Sequence, residues 1–415
     1  MTSFSIQNFG CRVNQAEAFG WTEELEGHGW RLAEDSIRAD LVVLNTCTLT
    51  GKADRDVRKF IRKITRLNPA ARLVVTGCSV DAGRIQTQGM PLNWLVIPNG
   101  QKAGLVDRIL PPAERRRAAP EKHLRSRALL KIQDGCDERC TFCVIPRVRG
   151  RSRSLERADI LARARELAGR GFREIILCGI HLSSYGLDLR PQTSLLDVVR
   201  ELTAIGEIGH IRLSSLDPRF MDDRLVAFLA GNPKISPHFH LSLQHGSDRI
   251  LKRMGRASKV SEYLRVLTEL RRNSPTAALG ADIMVGFPGE SEEDFADMKV
   301  FLERSPITYL HVFAYSPRPG TPAADWPQVD ERLKGERSAR LRGLSAEKRK
   351  TFHLAFLSKE LDAIVIKKQG DSGEVLTENY INIQVPFCSA SPGEEMKVRL
   401  TEAGPIMCRG EIIPG

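Results

Sequence analysis

Residues 133–145 read QDGCDERCTFCVI and place Cys136, Cys140 and Cys143 within eight positions. A structural zinc ion takes four closed ligands, and the nearest fourth candidate, His123, lies in a stretch rich in Pro and Arg. A CxxC redox dithiol would use Cys140 and Cys143 but leaves Cys136 without a role. A cubane iron–sulfur cluster is normally held by four thiolates. Three thiolates leave one iron open, which is useful only where something must bind there.

The segment around the trio gives it a setting. A strand-like run at 128–133 precedes it, and further runs follow at 174–178, 209–214, 238–243, 279–285 and 307–313. Helical patterns separate them, as at 155–170, where Leu155, Ala158, Leu161, Ala164 and Leu167 recur. Six β/α units in succession predict an open or partial barrel with its site at the carboxyl ends of the strands. The trio falls on that rim.

The first 110 residues alternate in the same way. SFSIQNFG (3–10) runs into Cys11, ADLVVLNT (39–46) into Cys47 and ARLVVTG (71–77) into Cys78. The clearest helix between them is 51–67, with Val57, Phe60, Ile61 and Ile64 on one face. This order predicts a parallel sheet with crossover helices, in which ligands sit beyond the carboxyl ends of the strands. Cysteines 36 and 31 positions apart would then converge as a second trio.

The totals bound the rest. A chain of 415 residues, 41% apolar, has room for two to four domains. No run approaches the ~20 apolar residues that span a bilayer, and MTSFSIQNFGCRVN lacks a basic region followed by an apolar one. The cytosol is therefore the expected compartment, with thiols reduced. Nine cysteines then point to metal, catalysis or core filling before disulfides; Cys178, Cys388 and Cys408 are expected in the core.

Net charge is +11, and residues 111–170 hold 16 Lys and Arg against 8 Asp and Glu. Arg115, Arg116, Arg117, Arg125 and Arg127 precede the trio; Arg147, Arg149, Arg151 and Arg153 follow it. Such a balance suits a polyanionic partner, or simply exposed helix faces. Residues 111–127 read as a linker and 330–358 as a connecting helix. From about 359, DAIVIKK, YINIQVPF and EMKVRLT predict a small antiparallel β-barrel. The expected divisions are 1–110, 111–127, 128–350 and 351–415.

C-x3-C-x2-C with Phe142 before the last cysteine resembles the motif of the radical S-adenosylmethionine superfamily. FGCRVNQAEA (9–18), LNTCTLT (44–50) and TGCSVD (76–81) resemble the N-terminal cluster domain of its methylthiotransferases. CTFCVIPRVRGRSRS, LCGIHLSSYG, LSSLDP, LSLQHGSDRILKRMGR, DIMVGFPGESEEDF and VFAYSPRPGTPAA resemble their barrel, and ENYINIQV their RNA-binding TRAM domain. GCRVNQAEA is most similar to the branch acting on N6-threonylcarbamoyladenosine in tRNA. The chain departs from the family pattern at Arg147, His245 and Cys178, and its TRAM segment is short.

The resemblance implies an α/β chain: a parallel-sheet cluster domain, a (β/α)6 partial TIM barrel of the radical S-adenosylmethionine kind, and a TRAM-like barrel. It implies that Cys136, Cys140 and Cys143 hold a 4Fe–4S cluster that binds and cleaves S-adenosylmethionine, and that Cys11, Cys47 and Cys78 hold a second cluster that carries the sulfur. An adenine C–H bond offers little to an acid, base or ordinary nucleophile, so a methylthio group at C2 calls for a radical; two S-adenosylmethionines are implied, one to methylate and one to activate. Implied partners are a tRNA anticodon stem-loop, a reducing electron-donor protein and a sulfur donor. Phe142, Gly179, Ser214, Ser215, Gln244 and Gly286 are candidate cofactor contacts, against turn, packing and local hydrogen-bond roles. Arg149, Arg151 and Arg153 are candidate RNA contacts, against an exposed basic loop. Isopentenyladenosine in tRNA and a ribosomal-protein aspartate are alternative substrates. A non-catalytic iron–sulfur or zinc RNA-binding protein is the alternative of another class.

Overall fold

β3 (Leu41–Thr46) is buried at all six positions, which accounts for its nearly unbroken apolar run. It lies in a five-stranded parallel sheet of order β2-β1-β3-β4-β5, with β1 (Ser3–Asn8), β2 (Arg31–Leu32), β4 (Arg72–Gly77) and β5 (Trp94–Ile97). Helices cover both faces, as a fully buried parallel sheet requires. Helix α1 (Arg12–Gly27) packs with Leu105, Val106 and Ile109 on one face, while α2 (Gly51–Leu67) sends Ile64 to the other. The computed structural model describes residues 2–85, 93–110 and 127–413. His123, Arg115, Arg116, Arg117 and Arg125 lie outside the described residues.

The middle of the chain forms two three-stranded parallel sheets set edge to edge. One has the order β10-β9-β6, from β6 (Arg127–Lys131), β9 (Glu174–Cys178) and β10 (His210–Leu213); a short hairpin, β7 (Gln133–Asp134) with β8 (Arg153–Ser154), follows β6. The other has the order β11-β12-β13, from β11 (His238–Gln244), β12 (Ala278–Val285) and β13 (Tyr309–Ala314). Single bridges, Ile211 to Ile235 and Leu216 to Leu241, join the halves. The result is a six-stranded partial barrel.

Alternate strand residues divide between its faces. Leu130, Leu177, Leu213, Leu241 and Ile283 join the helices in one large outer core. The inner face takes Leu129, Ile176 and Cys178, on which Val13 and Ala16 of α1 pack. The N-terminal domain thereby closes the open side of the barrel. Arg127, expected in the linker, instead opens β6.

A helix, Glu331–Leu354, leads to a closed C-terminal barrel of order β14-β15-β16-β18-β17. Its strands are β14 (Glu360–Gln369), β15 (Ser372–Thr377), β16 (Asn382–Val385), β17 (Glu395–Glu402) and β18 (Cys408–Ile412). β16 and β18 pair in parallel, so the expected all-antiparallel pattern is corrected. A closed ring of five strands cannot alternate direction throughout, and one pair must run the same way. Cys388 and Cys408 lie in this barrel's core.

Candidate functional site

The loop carrying Cys136, Cys140 and Cys143 leaves β7 and is pinned by backbone on two sides. Thr141 N donates to Met254 O (2.9 Å), Ala323 N to Thr141 O (2.9 Å) and Cys136 N to Gly150 O (3.1 Å). Gly135 has φ 72, and a Cβ there would run into the carbonyl of Arg151. Only glycine permits this approach. Around Cys140 stands a charged lattice: Asp217 accepts from Arg219 Nη2 (2.8 Å) and Arg256 Nη2 (2.9 Å), and Arg219 also pairs with Glu138 (2.9 Å). Burial alone would raise Asp217; His181 and the two guanidiniums instead hold it far below the usual carboxylate range. LSSLDP thus buttresses the cysteine loop.

The other trio sits at the carboxyl ends of β1, β3 and β4. Cys11 caps α1, Cys47 follows β3, and Cys78 opens the short helix α3 (Cys78–Asp81). Gly77, at φ 103, lets Thr46 backbone pack where a side chain would otherwise project. All six thiols are free. Burial pushes Cys47 and Cys143 up to about 12 and Cys136 up to about 11; it also raises Cys78 and Cys140.

The two trios meet. Cys78, Cys136 and Cys143 share one apolar cluster with Val144, Ile145, Val148 and Ile180. Beside it runs an ionic network across the domain boundary. Arg149 donates to Cys78 Sγ (3.4 Å), Glu17 Oε1 (3.0 Å), Asp134 Oδ1 (2.9 Å) and Asn14 Oδ1 (2.9 Å). Glu17 also pairs with Lys102 (2.7 Å) and Lys131 (3.3 Å). Burial would raise Glu17, but these three cations hold it ionised. Sequence reasoning missed Glu17, Asn14 and Lys102. Of these, only GCRVNQAEA, which contains Asn14 and Glu17, offered a signal.

This corrects the expectation for Arg149. Its side chain is 1% exposed and fully engaged inside the protein, so it is not an RNA-facing group. Arg151 and Arg153 do lie at the surface; Arg151 is 90% exposed and pairs with Asp137 (3.2 Å). Phe142 packs edge-on against Phe287 (6.2 Å). Gln244 ends β11 on the rim with φ 75, a strained position for a non-glycine residue. Ser214 accepts from Gly179 N (3.4 Å), and Ser215 is exposed. The space beside Gly179 is taken by Leu182 and Gln133, and that beside Gly286 by the Lys334 side chain. Their close packing partners are therefore protein.

The ENYI segment, expected to face RNA, turns inward at its start. Glu378 pairs with His210 (3.0 Å) and Asn379 donates to Thr276 O (3.3 Å). Tyr380 stacks on His238 at 4.0 Å and accepts from Arg12 Nη2 (2.8 Å). It docks the C-terminal barrel on the base of the central one.

Donor chemistry tests what the trios fit. Tetrahedral zinc–thiolate bonds of ~2.3 Å place sulfurs about 3.8 Å apart. Neither trio brings its three sulfurs within 4.8 Å of one another, whereas His240, Asp282 and His311 do cluster that tightly. Thiols spread wider than one ion allows suit a polynuclear cluster better than a single ion.

Residues 130–302 match the Radical SAM superfamily, and residues 3–91 match the uncharacterized protein family UPF0004. The threonylcarbamoyladenosine tRNA methylthiotransferase MtaB of Aquifex aeolicus is 38% identical over 92% of this chain and 96% of its own length. The protein of that name from Bacillus subtilis is 31% identical, over 97% and 95%. The tRNA-2-methylthio-N(6)-dimethylallyladenosine synthase of Sphingopyxis alaskensis is 33% identical, over 97% and 96%. Among solved structures, the radical S-adenosylmethionine methyltransferase TsrM from Kitasatospora setae superposes with a TM-score of 0.55 at 14% identity, covering 78% of this chain and 77% of that one. That likeness is one of fold.

Proposed function

The chain belongs to the radical S-adenosylmethionine tRNA methylthiotransferases, and on that premise we propose that its target is C2 of N6-threonylcarbamoyladenosine beside the anticodon. The proposal includes two 4Fe–4S clusters, one on each trio, and two S-adenosylmethionines per product. The observation that carries it is the meeting of the trios: Cys78 from one shares an apolar enclosure with Cys136 and Cys143 from the other. Relatives at 31–38% identity that bear the threonylcarbamoyladenosine name support the substrate.

When bound, a cluster with one open iron supplies the electron that cleaves S-adenosylmethionine and so gives access to an unactivated C–H bond. The chain's own residues prepare the enclosure. Cys136, Cys140 and Cys143 would hold one cluster; Cys11, Cys47 and Cys78 would hold the other. Burial raises Cys47, Cys78, Cys136, Cys140 and Cys143, so loading a cluster on them releases protons. Val144, Ile145, Val148 and Ile180 exclude water between the trios. Arg149 fixes one domain against the other and directs a charge-assisted donor at Cys78. Arg151 and Arg153 lie at the surface and, in this reading, meet phosphate as the target base leaves its stack. No described helix is long and apolar enough to cross a membrane.

The test is anaerobic reconstitution with iron, sulfide, a reductant and S-adenosylmethionine, followed by mass spectrometry of nucleosides from added tRNA stem-loops. A methylthio group on the threonylcarbamoyl nucleoside is expected. Modification only of the dimethylallyl nucleoside, or of neither, overturns the substrate assignment.

A further inference from the structure

The inner face of the central barrel carries more positive than negative charge near its base. Arg127, Arg212 and Arg12 gather there; beyond burial, Arg212 and Arg12 act on both Arg127 and His238. Glu174 is the one carboxylate bonded to any of them among the described residues; it takes Arg212 Nε directly and Arg127 at 3.8 Å. Asp282, also on the inner face, is already taken up by His240 (3.0 Å) and His311 (3.6 Å). Arg212 is 3% exposed, yet its Nη1 has no hydrogen-bond partner. A buried guanidinium donor left unpaired is costly unless a ligand completes it.

Arg12 is the member best placed to meet substrate. It follows Cys11 directly and opens α1, the helix that closes the barrel. Its half-buried guanidinium bonds only neutral oxygens among the described residues: Gln15 Oε1 at 3.3 Å and Tyr380 Oη at 2.8 Å. Tyr380 is itself held between the His238 ring (4.0 Å) and the Arg212 guanidinium (5.3 Å). Its φ of 67 is strained for a non-glycine residue, and the docked C-terminal barrel maintains it. A residue of the third domain thus holds a residue of the first beside the inner-face residue His238 of the second.

We propose that Arg12, positioned by Tyr380 and supported by Arg212, forms a carboxylate-binding subsite inside the barrel and recognises the free carboxylate of the N6 substituent. A threonine joined to adenosine through its acylated amine retains its carboxylate, whereas a dimethylallyl group has none. Arg presents paired donors that match a carboxylate. The subsite rests on the threonylcarbamoyl reading above and adds the residues that choose that substituent.

The test uses the reconstituted enzyme and two anticodon stem-loops, one with N6-threonylcarbamoyladenosine and one with its carboxamide analogue. Affinity is read by anisotropy and product by mass spectrometry. The wild-type protein prefers the acid by about 10- to 100-fold in affinity, as expected for one charge-assisted pair. Arg12→Gln abolishes the preference while binding the amide RNA as before, Arg12→Lys restores part of it, and Tyr380→Phe reduces it with both trios still loaded with iron. Equal loss on both RNAs in Arg12→Gln makes Arg12 a phosphate contact and overturns the subsite. So does a wild-type enzyme that modifies the acid RNA without preferring it. Failure to modify the acid RNA at all defeats the substrate reading itself, and the subsite with it.

Discussion

Arg149 of the barrel donates from Nε to Cys78 Sγ of the N-terminal sheet across 3.4 Å, while its Nη1 spans Glu17 and Asp134. One buried side chain thus ties the two cysteine trios into a single body. Its neighbours are themselves charged and buried, so removing it does more than delete one hydrogen bond.

Replacing Arg149 by Ala leaves Glu17 facing Lys102 and Lys131 without its largest partner. Breaking a buried pair from one side costs about 3–5 kcal/mol. Anaerobic urea unfolding should show a loss of that size. Arg149→Met with Glu17→Gln should cost less than the two single changes added together, because the pair acts as a unit.

Arg151 and Arg153 should behave oppositely. Both are exposed, so Arg151→Ala and Arg153→Ala should leave the unfolding midpoint in place. Each should instead lower the salt slope of stem-loop binding, by about 0.7 for every single-strand phosphate that is no longer neutralised. A salt titration of binding against the same titration of Arg149→Met separates the surface role from the buried one.

The docking of the C-terminal barrel should depend on pH through His210. Its hydrogen bond to Glu378 raises it above the ordinary 6.5, outweighing burial. The protonated pair therefore stabilises the docked state fully below about pH 6.5, and this contribution fades as pH rises through the raised value. Buried His238 is shifted the other way by burial and by Arg212, so its contribution is present above 6.5 and lost on acidification. That opposing contribution is common to wild type and variant. Glu378→Gln should accordingly be less stable than wild type near pH 6 and equal to it near pH 9, measured by hydrogen exchange of β15 and β16.

Much of this architecture was legible in the chain because burial on both faces forces strands to be apolar without interruption. β3 and β4 run directly into Cys47 and Cys78, so reading the strands located the trio. What could not be read were interactions whose partners lie far apart. Nothing near Arg149 marks it as buried, since its acid Glu17 comes 132 positions earlier. In sequence it is indistinguishable from Arg151, which has only a surface pair with Asp137. Tyr380 sits in a segment whose resemblance pointed to RNA, and only the docked barrels bring it to His238 and Arg12. β15 and β18 were hidden because SGEVLT and CRGEI alternate weakly, and closure of a five-membered ring defines them.

The central claim is that each cysteine trio holds its own cluster, and counting iron tests it most directly. After anaerobic reconstitution the wild-type chain should hold about eight irons and eight sulfides. Cys11→Ala/Cys47→Ala/Cys78→Ala and Cys136→Ala/Cys140→Ala/Cys143→Ala should each retain about four. A wild-type chain saturating at about four irons, or taking one zinc per trio, would contradict the account.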